Sequence, residues 1–106
     1  MHFIYKITNT INNKIYIGQT NRPSLRWSQH KSNAKYNRTS QVITRAMTKH
    51  GIQNFKFEVI ASCLTQDDAD SSEEIIIKQY NSLDPTVGYN ISAGGFSAPK
   101  TPEILK

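Results

Sequence analysis

Six side chains in this sequence have types and spacings that chemistry can use. Tyr5 and Tyr16 sit in two short Ile- and Tyr-rich runs, Arg26 and His30 lie four residues apart, Glu73 falls in a helical pattern, and Asn90 ends the run GYN. Such a set suits hydrolysis of a phosphodiester. The carboxylate is an oxygen ligand for a hard cation, with water and phosphate completing the shell that magnesium prefers. Arg26 can place positive charge on the phosphorane as it forms. A tyrosine beside a cation and an arginine would have a lowered pKa and could take a proton from water. Each residue also has an ordinary use: strand aromatics, a surface cation, a solvated edge glutamate, an asparagine capping a turn. On spacing alone both readings stand.

Other chemistries lack their parts. Cys63 is the one cysteine, with no histidine at motif spacing, and no pair of acids lies near the basic half. AGG at 93–95 does not match a phosphate-binding loop. His2, His30 and His50 show no zinc spacing.

These residues need elements to hold them. FIYKIT (3–8) and KIYIG (14–18) read as two strands. Asn12-Asn13 can supply the positive φ angles of a two-residue hairpin turn, so that facing residues have numbers summing to 25, Tyr5 opposite Thr20 among them. Any even-numbered loop then puts Tyr5 and Tyr16 on one face. A helix capped by Thr20 or Asn21, with Pro23 in its first turn, projects Arg26 and His30 from one side with Trp27 beside them. SNAKYNR (32–38) reads as a basic loop. A second helix runs from about Gln41 to His50, capped by Thr39 or Ser40, with Ile43, Ala46 and Met47 inward and Gly51 as its stop. NFKFEVIA (54–61) alternates as a third strand. A third helix starts at Thr65, with Asp68 completing its cap, and runs to about Tyr80. Its inward stripe is Ala69, Ile76 and Tyr80, and Glu73 completes that stripe, a costly place for a carboxylate unless it is paired or binds a cation. Asp84-Pro85 and Gly88 mark turns.

The 106 residues fit one domain, and 37% hydrophobic with 20% charged residues is a globular composition. No apolar run approaches the ~18 residues of a membrane span, and no secretion signal opens the chain. With a lone cysteine this favours an intracellular setting, in cytoplasm or nucleus. The net charge of +5 is unevenly spread: residues 1–57 hold ten Lys/Arg and no acid. A segment of one sign points to a polyanion such as nucleic acid, or to a merely solvated basic surface. Arg22, Lys31, Lys35, Arg38, Arg45 and Lys49 are the candidate phosphate contacts, which position DNA and read little sequence.

FIY at 3–5, YIG at 16–18, SLRWSQH at 24–30, a glutamate in the third helix and GYN at 88–90 stand in one order. Together they resemble the GIY-YIG nuclease domain over roughly residues 2–95. The likeness is greatest to the catalytic domains of phage and intron-encoded homing endonucleases, which share the NT-x-NNK-x-Y-x-G hairpin and the R-W-x-x-H helix. The resemblance implies a small α/β (α+β) domain at 1–95, a three-stranded antiparallel sheet flanked by helices in the order β-β-α-α-β-α. It implies Mg2+-dependent cleavage of double-stranded DNA, with Mn2+ a candidate substitute. It makes Tyr5 and Tyr16 the motif tyrosines, Gly18 the motif glycine, Arg26 the phosphate-stabilising arginine, His30 the helix histidine, Glu73 the single metal ligand and Asn90 the asparagine that orients the site. Tyr5 is the favoured base, assisted by Tyr16 or His30. Phe3 stands where the family has glycine, at the outer end of a strand and away from the chemistry. The tail, 96–106, reads as the start of a linker to a C-terminal specificity module, and the domain as a monomer. Two other readings are a self-contained restriction or structure-specific nuclease, and a DNA-binding module without catalysis. Glu73 argues against the last, because a carboxylate beside a phosphate repels it.

Overall fold

The hairpin that carries both tyrosines opens the chain. In the computed structural model, which describes residues 1–92, β1 (His2–Asn9) turns back into β2 (Ile15–Thr20). AGG and the tail lie outside the described residues. Then follow α1 (Pro23–Lys35), α2 (Val42–His50), a 3₁₀ turn at Ile52–Asn54, β3 (Phe55–Cys63) and α3 (Gln66–Tyr80), in the expected β-β-α-α-β-α order. The three strands are antiparallel in the order β2-β1-β3. Among the described residues no helix is long and apolar enough to cross a membrane.

The hairpin loop is longer than the Asn-Asn pair suggests. Asn9 pairs with Lys14, its N–H donating to the Lys14 carbonyl at 2.9 Å, so residues 10–13 form the loop. The Asn9 side chain starts it by accepting the Ile11 N–H, and of the two asparagines Asn13 alone has a positive φ, of 65°. The register therefore moves by two: Tyr5 faces Gly18 and Ile7 faces Tyr16. A shift of two preserves side-chain parity, so both tyrosines still share a face.

Two cores cover the two faces of the sheet. Tyr5, Ile7 and Phe55 pack with Ala34, Ile43, Ala46, Met47 and Tyr89 under α1 and α2. Ile4, Ile15 and Ile17 pack with Ala69 and Ile77 under α3. Burial redraws several boundaries. α1 continues to Lys35 through the stretch read as loop, because Ala34 is buried and its carbonyl accepts the Thr48 hydroxyl of α2. The α1 cap position is Arg22, without a side-chain cap; Thr20 instead accepts the Arg22 N–H through its hydroxyl. Gln41 occupies the α2 cap position, also without a side-chain bond, while the Thr39 hydroxyl bonds that of Thr44. Gly51 ends α2 as expected, at φ 93°.

β3 runs two residues beyond its expected end and carries a bulge: Val59 faces Tyr5 but Ala61 faces Ile4, leaving Ile60 as the extra residue. The alternation stops there, and Val59 is exposed. Thr65 caps α3 by accepting the Asp68 N–H. The buried stripe of α3 is Ala69, Asp70, Glu73 and Ile77, in place of Ile76 and Tyr80; Tyr80 instead lies outside, beneath the Lys6 ammonium. Asn81, left-handed at φ 56°, ends the helix. The chain then turns at Asp84-Pro85 and runs beside β2, with Gly88 bridging to Ile15.

Candidate active site

The site forms where the two faces meet at the edge strand β2. Tyr5 and Gly18 face each other across β1 and β2, and the Tyr5 phenol lies over Gly18 so closely that a Cβ there would collide with its Cζ and hydroxyl. The glycine thus lets Tyr5 reach across the edge strand. The ring is stacked on Phe57 at 4.9 Å, which is stacked in turn on Trp27 at 5.2 Å. One turn apart on α1, His30 and Arg26 meet the same hydroxyl: His30 Nε2 at 2.8 Å and Arg26 Nε at 3.3 Å. Arg26 also donates to Gln29 Oε1. Tyr16 sits beside them, its ring 6.3 Å from Tyr5 and 5.8 Å from His30.

The arginine nitrogen can only donate to the Tyr5 oxygen. Toward His30 the Tyr5 O–H donates to Nε2 in one neutral tautomer, and Nε2–H donates to the Tyr5 oxygen in the other, so a neutral His30 satisfies the bond either way. Electrostatics agree. Burial, followed by Arg26, pulls the His30 pKa down to about 4. Burial pushes Tyr5 above its ordinary value, Tyr16 adds to the rise, and Arg26 works against it. Tyr16 is likewise raised, by burial first. The arginine by itself does not produce the lowered tyrosine pKa expected beside a metal and an arginine together, because desolvation of the phenolate outweighs one guanidinium.

The other wall comes from α3. Gln19 follows the motif glycine and, one residue out of phase with Tyr16 and Gly18, points to the opposite face of β2. Its Nε2 donates to Glu73 Oε1 at 2.7 Å and to Asp70 Oδ1 at 2.9 Å. Gln66 donates to Gln19 Oε1 at 2.6 Å and to Asp70 Oδ1 at 2.9 Å. These bonds explain why carboxylates are tolerated in a buried helical stripe. A cleft of about 380 Å³ joins the walls, lined by Tyr5, Tyr16, Arg26 and Glu73 along with Gly18, Gln19 and others.

Five of the six singled-out residues thus converge, His30 standing behind Tyr5 rather than lining the cleft. Asn90 does something different. Its side-chain amide accepts the Ile17 N–H at 2.9 Å and donates to the Ile17 carbonyl at 2.8 Å, so it extends the sheet like a strand residue. It fixes the edge strand between Tyr16 and Gly18 and acts on the site through backbone. Arg22, Lys31, Lys35, Arg38, Arg45 and Lys49 are all exposed, and the Lys31 ammonium rests on Trp27 while Lys35 and Arg38 flank Tyr36. Gln19, Gln66 and Asp70 went unnoticed in the sequence. The spacing of Gln66, Asp70 and Glu73, four and three residues, does put them on one helix face, but nothing local tied that face to Gln19.

The family model of the GIY-YIG catalytic domain matches residues 1–90. This chain belongs to the GIY-YIG family. It is 33% identical over 94 residues to the segB protein of Enterobacteria phage T4, covering 89% of this chain and 39% of that protein. To Intron-associated endonuclease 1 of the same phage it is 30% identical over 114 residues, covering 97% of this chain and 44% of that protein. The solved catalytic domain of homing endonuclease I-TevI superposes with a TM-score of 0.74 at 30% identity, covering 87% of this chain and 99% of that one. The GIY-YIG chain described here spans less than half the length of the curated relatives it matches. Its three-stranded antiparallel sheet with flanking helices is the fold of that solved domain.

Proposed function

We propose that this chain is the catalytic domain of a homing-type or mobile-element DNA endonuclease, hydrolysing phosphodiester bonds with one divalent cation, Mg2+ by preference, held by Glu73. The observation that carries the reading is the Tyr5 hydroxyl, hydrogen-bonded to His30 and Arg26 in a cleft that Glu73 also lines.

The residues fit such an ion. Among the described residues no three His, Cys, Asp or Glu side chains converge on one point. A single carboxylate at an open cleft, with waters and substrate oxygens supplying the rest, suits a cation that keeps much of its hydration. Bound there, Mg2+ would supply positive charge to a phosphate oxygen and its leaving group. The protein's own part follows from the hydrogen bonds. Arg26 offers its guanidinium to the charge that grows on the phosphorane. The Tyr5 oxygen takes a proton from the attacking water while its own proton passes to neutral His30, so no free phenolate is needed. Tyr16 closes the wall beside them. The exposed cations from Arg22 to Lys49 hold the backbone of double-stranded DNA, an attraction that falls with salt. A monomer acting inside the cell, with its sequence reading supplied by a further module, completes the proposal.

Nicking of supercoiled plasmid tests it, with and without Mg2+, for the wild type and Glu73→Ala. Metal-dependent nicking that disappears in the variant supports a one-metal nuclease. Wild-type protein that stays inactive even when fused to an unrelated DNA-binding domain would leave only a binding module.

A further inference from the structure

We infer that Gln19 is the positioning residue for Glu73, and that Asp70 and Gln66 lock its amide in the orientation this requires; the inference rests on the reading of Glu73 as the cation ligand. An amide has one donating end and one accepting end. The accepting end of Gln19 is occupied by Gln66 Nε2 at 2.6 Å, so the donating end faces the carboxylates. There it bridges Glu73 Oε1 at 2.7 Å and Asp70 Oδ1 at 2.9 Å. Gln66 is aligned by the same Asp70 oxygen, at 2.9 Å. A flipped Gln19 amide would set its oxygen against two carboxylates and its nitrogen against the Gln66 nitrogen, losing three bonds together.

The arrangement has a purpose that core packing does not explain. Asp70 and Glu73 are 6% and 7% exposed and lie one hydrogen bond either side of a single nitrogen. Two carboxyl groups this buried need donors in place of water, and one nitrogen serves an oxygen of each. Holding Glu73 Oε1 on one side limits the rotation of its carboxylate in the cleft. A ligand held in one rotamer loses less freedom when a cation arrives. Partners that orient a metal ligand in this way change metal affinity by about 10–100-fold when removed.

The test is Mn2+ binding by the 106-residue chain, followed by the EPR signal of free Mn2+ at fixed pH and salt. Gln19→Met keeps the stem and loses the amide; Asp70→Ala removes the oxygen that accepts from both Gln19 and Gln66. Each is expected to weaken Mn2+ binding by about 10-fold or more. Half-maximal nicking should shift to higher Mg2+ by a similar factor, while the rate at saturating Mg2+ stays within about three-fold. Gln66→Leu, at the half-buried first turn of α3, loosens Gln19 without touching Glu73 and should show a smaller shift of the same kind. If Gln19→Met does not fold, this variant carries the test. Affinities equal to wild type in the folded variants, with Glu73→Ala abolishing binding, overturn the inference and leave the Glu73 reading standing. Binding that survives Glu73→Ala, or no binding by the wild type, overturns both.

Discussion

The two walls of the cleft are built by different means. On the α1 side, Tyr5 and His30 are each 1% exposed, Tyr5 within the core and its aromatic stack and His30 edge-on to the Tyr5 ring. On the α3 side, the groups are polar and are held by a chain of amide-to-carboxylate hydrogen bonds. Packing fixes the first wall and desolvates it, which pushes the tyrosines up and the histidine down in pKa. Hydrogen bonding fixes the second, and holds a carboxyl group at the lining of the cleft. In the proposed mechanism the first wall would carry a proton and the second a cation, and neither construction would serve the other's purpose.

Breaking either wall at its reacting group should give the largest effects. Glu73→Ala and Tyr5→Phe are each expected to lower the plasmid nicking rate by about 10²–10⁴-fold with the fold retained by circular dichroism. Equal activity of Tyr5→Phe and wild type would remove the tyrosine–histidine path. Acid should distinguish the walls next. His30 titrates near 6.5 when unfolded and about 4 when folded, so the unfolded chain binds a proton that the fold refuses. Its contribution is complete above pH 6.5 and is lost as pH falls toward 4, on the order of 3 kcal/mol. Urea midpoints at pH 7 and 4.5 measure this loss, and His30→Gln should shrink it. Asn90→Ala removes two bonds to the edge strand and should cost about 2 kcal/mol, read as a lower melting temperature together with slower nicking. At exposed Val59, beyond either wall, Val59→Thr should change stability by no more than about 0.5 kcal/mol.

Much of the α1 wall was legible because its signals are local. Tyr5 and Tyr16 share a face by parity alone, which is why that conclusion holds although the pairing register differs by two residues. Arg26 and His30 share a helix side by their spacing of one turn. The α3 wall was half legible: Glu73 stood out as an acid in an apolar stripe, yet the stripe was drawn through Ile76 and Tyr80. The true one passes through Asp70 and Ile77, and propensity cannot choose between neighbouring isoleucines without knowing which side of the helix meets the sheet. The end of α1 and the bulge at Ile60 escaped for the same reason, since contacts with α2 and β1 decide them. Asn90 read as an orienting residue, but its means, pairing with Ile17 across the sheet edge, lies in a contact between residues far apart in the chain.

By itself the sequence determined the order of elements, the caps at Thr65 and Gly51, the shared face of the tyrosines and the charge that favours a polyanion. These follow from rotation per residue, from local hydrogen bonding and from composition, all of which act over a few residues or over the whole chain. Only the tertiary structure decided that Tyr5 reaches over Gly18, that the two faces open into one cleft, and that burial raises the tyrosine pKa against the arginine. Those depend on how closely distant segments pack and how much water they exclude, quantities that exist only once the sheet has its two covers.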